Sequence, residues 1–183
     1  MEQLTPTDCY QRAVARATEV ARGVTSNQLG APTPCREWTV QDLLDHLAGG
    51  TTYLATALGG AESPAPVPAT ADDLAAGYGR CVALLAEPGA LEHRSMSPLG
   101  FEWSGMEATA GTFMDVLIHT WDLATATGQD PQLDPDLVDA CIAMFLPEMP
   151  ERGRAGGIIG PAVPVGADAP PLDRLLGAMG RQP

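Results

Sequence analysis

Asp115, His119 and Asp122 are residues of the kinds that bind metals or move protons, and they follow one another at spacings of four and three. On a helix, at about 100° per residue, the three fall within an arc of roughly 60°. A carboxylate and an imidazole one turn apart point the same way and can share one ion, as carboxylate-x-x-His motifs do at a closely similar spacing in metal-binding helical bundles. The same stripe also fits a solvated helix edge with a weak surface pair. His46 turns the balance toward a metal, because it stands between Leu43, Leu44 and Leu47 near the inner side of another patterned stretch. The expected site is therefore His46, Asp115 and His119. Asp122 is read in four ways: behind an imidazole as an orienting carboxylate, as a group acting on a metal-bound water, in Asp115's place as the ligand, or as an ordinary exposed acid near a helix end. His93 stands in an irregular segment and is not expected to ligate. Cys35 lies near the site and is read as an inert thiol, since nothing around it in the sequence guarantees a lowered pKa.

These side chains need long helices to position them. Ser104 with Glu107 has the form of a capping box and Gly128 that of a left-handed C-terminal cap, so one helix is expected between them. Phe113, Met114, Val116, Leu117, Ile118, Trp121, Leu123 and Ala124 fill most of its circumference, so it should be buried on most sides. His46 belongs to a helix capped by Thr39 with Asp42 and ended by Gly59-Gly60. Thr5, Pro6 and Asp8 open a first helix expected to reach about Thr25 or slightly beyond. Thr70 with Asp73 opens a third, to about Ala86, before Pro88-Gly89. The segment from Leu91 to Trp103 suggests a short hairpin or irregular insert. Asp134-Pro135 opens a further helix that stops at Pro147. The remainder, 148–183, reads as a Pro/Gly-rich tail with one helical patch at Leu172–Met179. The expected fold is all-α: an up-down four-helix bundle, alternating up-down-up-down, with an additional helix. One domain over 1–183 is expected, with the tail packed on the bundle.

The chain has 183 residues and a formal charge of −13, with a pI near 4.3. Such a field repels phosphate backbones and anionic headgroups, so neither nucleic acid nor a membrane is an expected partner. The four cysteines form no C-x-x-C pair and no secretory signal is read at the start, which points to a reducing cytoplasm. All ten basic residues are arginines, a composition bias rather than a functional signal.

The run Pro34-Cys35-Arg36-Glu37-Trp38-Thr39-Val40, continuing through Asp42-Leu43-Leu44 and His46-Leu47, resembles the mycothiol-dependent maleylpyruvate isomerase family. So do the stretch from Asp115 to Gly128, D-V-L-I-H-T-W-D-L-A-T-A-T-G, and the tail segments Gly160–Val165 and Asp173–Leu176. The likeness is greatest to stand-alone actinobacterial metal-binding proteins of that family, within the DinB-like group of helical metalloproteins. The resemblance implies a four-helix bundle holding a divalent metal, usually taken as zinc with nickel as an alternative, through positions that match His46, Asp115 and His119. In the isomerase the carboxylate is a glutamate, where this chain has Asp115. The isomerase also carries an additional C-terminal domain, for which little sequence follows the bundle here.

Two imidazoles and one carboxylate leave tetrahedral zinc an open position, the arrangement of catalytic rather than structural sites. Such a position can hold water or stabilise the thiolate of a bound thiol. The resemblance makes mycothiol the thiol and S-transfer to an electrophile, or thiol-assisted isomerisation, the reaction. Because the surface is acidic, an anionic cosubstrate needs a local pocket, in which Arg36 or Arg94 is expected to supply the positive charge. The alternative is a bundle that keeps its ion for stability or ligand sensing and performs no chemistry. The sequence leaves the oligomeric state open, a homodimer included.

Overall fold

The computed structural model describes residues 4–146 and 148–183. They form two compact units, 1–131 and 132–183. The first contains helices α1 (Pro6–Arg22), α2 (Val40–Ala57), α3 (Ala71–Leu85) and α4 (Gly105–Thr127), with a two-stranded hairpin, β1 (Arg94–Met96) and β2 (Glu102–Ser104), ahead of α4. Each helix starts where its sequence can satisfy the first free backbone N–H groups. Thr5, Thr39, Thr70 and Ser104 each accept from the third helical N–H, while Asp8, Asp42, Asp73 and Glu107 reach back to the cap, giving four complete capping boxes. Gly128 ends α4 at φ 68°, a left-handed conformation that glycine adopts without a Cβ penalty. The first helix stops at Arg22 rather than near Thr25. Gly23 caps it, and Thr25 with Gln28 then closes a separate 3-10 turn, Ser26–Gln28.

Around the bundle α4 packs on α1 and α2, while α3 packs on α2 and α1, so α1 and α2 stand on one diagonal and α3 and α4 on the other. The directions follow from side-chain contacts. Gln129 Nε2, just past α4, donates to Val20 O near the end of α1 at 2.9 Å, so these two helices run parallel. His46, early in α2, meets Asp115, whereas the Tyr53 ring, later in α2, lies 6.2 Å from that of Trp103 just before α4, so α2 and α4 are antiparallel. Ala69, at the start of α3, bonds Gln41 and Asp45 near the start of α2, and Cys81 bonds Thr51 farther along, so α2 and α3 are parallel. The order is up, down, down, up, which differs from the strict alternation expected. The Pro-rich connection between α2 and α3 accounts for the difference. Returning along an 18-residue helix means spanning about 27 Å, and thirteen extended residues reach roughly 43 Å. α2 and α3 approach closely at Gly77, where a Cβ would overlap the Thr51 side chain.

The core of this unit is built from the apolar faces, including Tyr10, Val20, Leu43, Leu47, Leu54, Leu74, Phe113, Val116, Leu117 and Leu123, all buried. As expected, α4 is buried on most sides. Among the described residues, no helix is long and apolar enough to cross a membrane.

The second unit contains α5 (Pro135–Phe145), α6 (Glu148–Ala155) and α7 (Pro171–Ala178). Asp134 caps α5 through Asp136 N, and Leu146 follows as its C-cap. Pro147, expected as the stop, lies outside the described residues. α6 stands where only tail was read. Its Pro150 falls in the first turn, where a missing N–H costs no helical bond, and the ion pairs Glu148–Arg152 and Glu151–Arg154 support so short a helix. Leu175 and Leu176 of α7 are buried, as are Leu137, Val138 and Cys141 of α5.

Candidate metal centre

Two antiparallel helices and one loop build the site. On α2, His46 lies two turns in from the Thr39 cap. On α4, Asp115 and His119 stand one turn apart and Asp122 follows within the next. His46 Nε2 lies 3.2 Å from both carboxylate oxygens of Asp115, and His119 Nε2 lies 3.4 Å from Asp115 Oδ1. A donor atom from each of the three residues falls within 4.8 Å of the other two. A tetrahedral ion with bonds of about 2.0–2.1 Å holds its ligand atoms about 3.3 Å apart. The donor spacing thus fits an ion, and Asp115 reaches the two imidazoles although it is one methylene shorter than glutamate.

The electrostatics favour positive charge at the same place. Burial acts against the charged carboxylate of Asp115, but the His119 and His46 imidazoles beside it prevail and hold it far below the usual carboxylate range. Burial likewise favours neutral His119, yet Asp115, Asp122 and Cys35 retain its proton and push its pKa well above the ordinary value. The residues that could take a dication therefore already hold a proton between two carboxylates.

His119 Nδ1 meets Asp122 Oδ2 at 2.9 Å, and the Asp122 side chain is 0% exposed. An ordinary exposed acid near a helix end is therefore excluded for this residue. Asp122 stands behind the imidazole, on the ring edge opposite Asp115, so the whole stripe is no solvated edge: it is half-exposed at His46 and Asp115 and closed at His119 and Asp122. A carboxylate accepting from the second ring nitrogen fixes the tautomer that turns Nε2 toward an ion.

The loop before α2 completes the surroundings. Glu37 takes φ 67°, which folds the chain so that Cys35 and Trp38 both meet the site. The Trp38 ring lies 4.8 Å from the His46 ring and 5.8 Å from that of His119, nearly parallel to the latter. Cys35 Sγ lies 3.2 Å from Asp122 Oδ2 and 3.7 Å from His119 Nδ1. The sequence placed Cys35 near the site but not against Asp122 and His119, and Trp38 was not read as part of it. The available signal was position, since Trp38 immediately precedes the Thr39 cap of the helix that carries His46.

His93 is structural: its Nδ1 lies 3.0 Å from Ala57 O at the end of α2. Arg94 does not supply a free charge, because Glu102 and Glu107 take its guanidinium at 3.2 and 3.8 Å. Arg36 is exposed on the loop beside Cys35.

Residues 10–124, which include every residue of this centre, match the family model of the mycothiol maleylpyruvate isomerase N-terminal domain. The chain belongs to this family. Uncharacterized proteins from two strains of Mycobacterium tuberculosis, CDC 1551 / Oshkosh and H37Rv, are each 35% identical to it over 181 residues, covering 96% of this chain and 97% of theirs. The family member is thus similar over nearly all of this chain to mycobacterial proteins. No solved structure matches it significantly.

Proposed function

We propose that this family member binds one divalent ion, zinc before nickel, through His46, Asp115 and His119, and uses it as a mycothiol-dependent metalloenzyme of the transferase or isomerase type. The observation that carries the reading is the donor spacing across α2 and α4, 3.2 Å and 3.4 Å around one carboxylate. The family supports the choice of thiol. When bound, a divalent ion with three protein ligands supplies a Lewis-acid position at which a small thiol is held as its nucleophilic thiolate. The chain's own groups do the rest. Asp122 holds the Nδ1 proton of His119 and so keeps Nε2 available. Trp38 covers both imidazole rings and limits water on that side. Asp115 and His46 remain half-exposed, so the approach of a thiol and an electrophile is from their side.

Elemental analysis of tag-free protein purified without chelator should find close to one ion per chain, and zinc should bind far more tightly to wild type than to His119→Ala. Equal affinity would remove the site. With cobalt in place of zinc, added thiol should generate a thiolate-to-metal charge-transfer band. No spectral change at millimolar thiol would instead make the protein a non-catalytic ion holder.

A further inference from the structure

His119 presents a set of metal-binding donors on each edge of its ring. Nε2 faces His46 and Asp115, and Nδ1 faces Cys35 and Asp122, whose donor atoms also lie within 4.8 Å of one another. On the second edge the separations are 2.9 Å from Nδ1 to Asp122 Oδ2, 3.2 Å from Asp122 Oδ2 to Cys35 Sγ and 3.7 Å from Cys35 Sγ to Nδ1. With metal–sulfur bonds of about 2.3 Å and metal–nitrogen or metal–oxygen bonds of about 2.0–2.1 Å, ligand atoms on a tetrahedral ion stand about 3.3–3.5 Å apart. The observed triangle lies within a few tenths of an ångström of that.

A structural account of Cys35, as a hydrogen-bond donor to the buried carboxylate, is a poor use of a thiol. The S–H group is a weak donor, and a serine hydroxyl would serve a fully buried carboxylate better. As a ligand the thiolate is strong and soft, and thiolate, imidazole and carboxylate together suit zinc or cadmium.

We propose that Cys35, His119 Nδ1 and Asp122 form an alternate, sulfur-containing berth for a soft divalent cation, exclusive with the His46–Asp115–His119 berth. Exclusion follows from the single imidazole. An ion on Nε2 requires the ring proton on Nδ1, where Asp122 accepts it. An ion on Nδ1 releases that proton and the Cys35 thiol proton to solvent, and the neutral ring then carries its proton on Nε2, where Asp115 Oδ1 accepts it at 3.4 Å. Each carboxylate is thus a ligand in one state and a proton acceptor in the other, and soft ions favour the berth that contains sulfur. The proposal needs neither mycothiol nor catalysis.

The full chain, stripped of metal by chelator, is titrated with cadmium while the thiolate-to-cadmium charge-transfer absorption is followed, in wild type, Cys35→Ser and His46→Ala. Wild type should develop the band and saturate at one ion per chain. Cys35→Ser should lose the band and bind cadmium at least about 10-fold more weakly, with a smaller change for zinc. His46→Ala should keep the band. Absence of a band in wild type, an undiminished band in Cys35→Ser, loss of the band in His46→Ala, or two ions bound at once would each overturn the proposal. The His46→Ala protein also separates the two readings: unchanged zinc affinity there counts against the His46–Asp115–His119 centre and leaves the cadmium result standing.

Discussion

Asp122 sets, through a single oxygen, how the His119 ring is presented to an ion. Its Oδ2 accepts at 2.9 Å from His119 Nδ1 inside the bundle, so it determines which ring nitrogen is free for an ion. Asp122→Asn keeps the shape but weakens the acceptor and introduces a competing donor. Zinc affinity should therefore fall by about 10- to 100-fold, the usual cost of losing a carboxylate behind a ligating histidine. Competition with a chromophoric chelator measures this, with far-ultraviolet circular dichroism as the check on folding, and an unchanged affinity would mean that Asp122 does not orient the ring. At this scale the sequence was partly legible. Asp115 and His119 share a face because four residues make about one turn, and that is a local fact of the helix. The burial of Asp122 and the contacts of Cys35 and Trp38 are tertiary, set by a loop whose path turns on the positive φ of Glu37, and no spacing rule reaches them.

The helices were legible because their ends are written in side chains. Thr or Ser followed three residues later by Asp or Glu marks the start of α1, α2, α3 and α4. The same pairs predict how the fold responds to acid. Side-chain and backbone hydrogen bonds from Thr5, Thr39, Thr70 and Ser104 lower the pKa values of Asp8, Asp42, Asp73 and Glu107 below their ordinary values. A carboxylate whose folded pKa is depressed contributes stability above its unfolded pKa, about 4, and that contribution is lost as pH falls through the folded value. The urea midpoint of the chelator-treated protein should therefore decline as pH drops below about 4. The double variant Asp42→Asn/Asp73→Asn should be less stable than wild type at neutral pH and converge toward it in acid. Parallel curves for the two proteins would show that the boxes contribute nothing through charge. α6 escaped notice because Pro150, Gly153 and the Gly156-Gly157 pair after it disguise a helix that rests on two surface ion pairs. The end of α1 was placed too late because its apolar spacing runs on through Val24 after Gly23 has capped it.

In the bundle as a whole, helix direction decides which residues meet. Capping signals locate helices but not their partners, and the direction of α3 depends on whether the α2–α3 connection turns back at once or crosses the bundle. Up-down-down-up order makes α2 and α4 antiparallel neighbours, so His46, early in α2, comes level with Asp115 and His119 around the middle of α4. An ion held there cross-links two helices that are far apart in sequence and do not depend on each other for their own hydrogen bonds. Binding to the folded chain alone then stabilises it by RT ln(1 + [L]/Kd), about 2.7 kcal/mol when free zinc is 100-fold above Kd. For a chain of this size each kcal/mol moves the thermal midpoint by about 2–4 °C. Calorimetry with zinc and then with excess chelator should therefore show a drop of roughly 5–10 °C in wild type. His46→Ala should show a smaller drop, because Asp115 and His119 both lie on α4 and no longer tie it to α2, which leaves zinc only the sulfur-containing berth that softer ions favour. If His46→Ala loses as much on chelation as wild type does, the ion does not bridge the two helices.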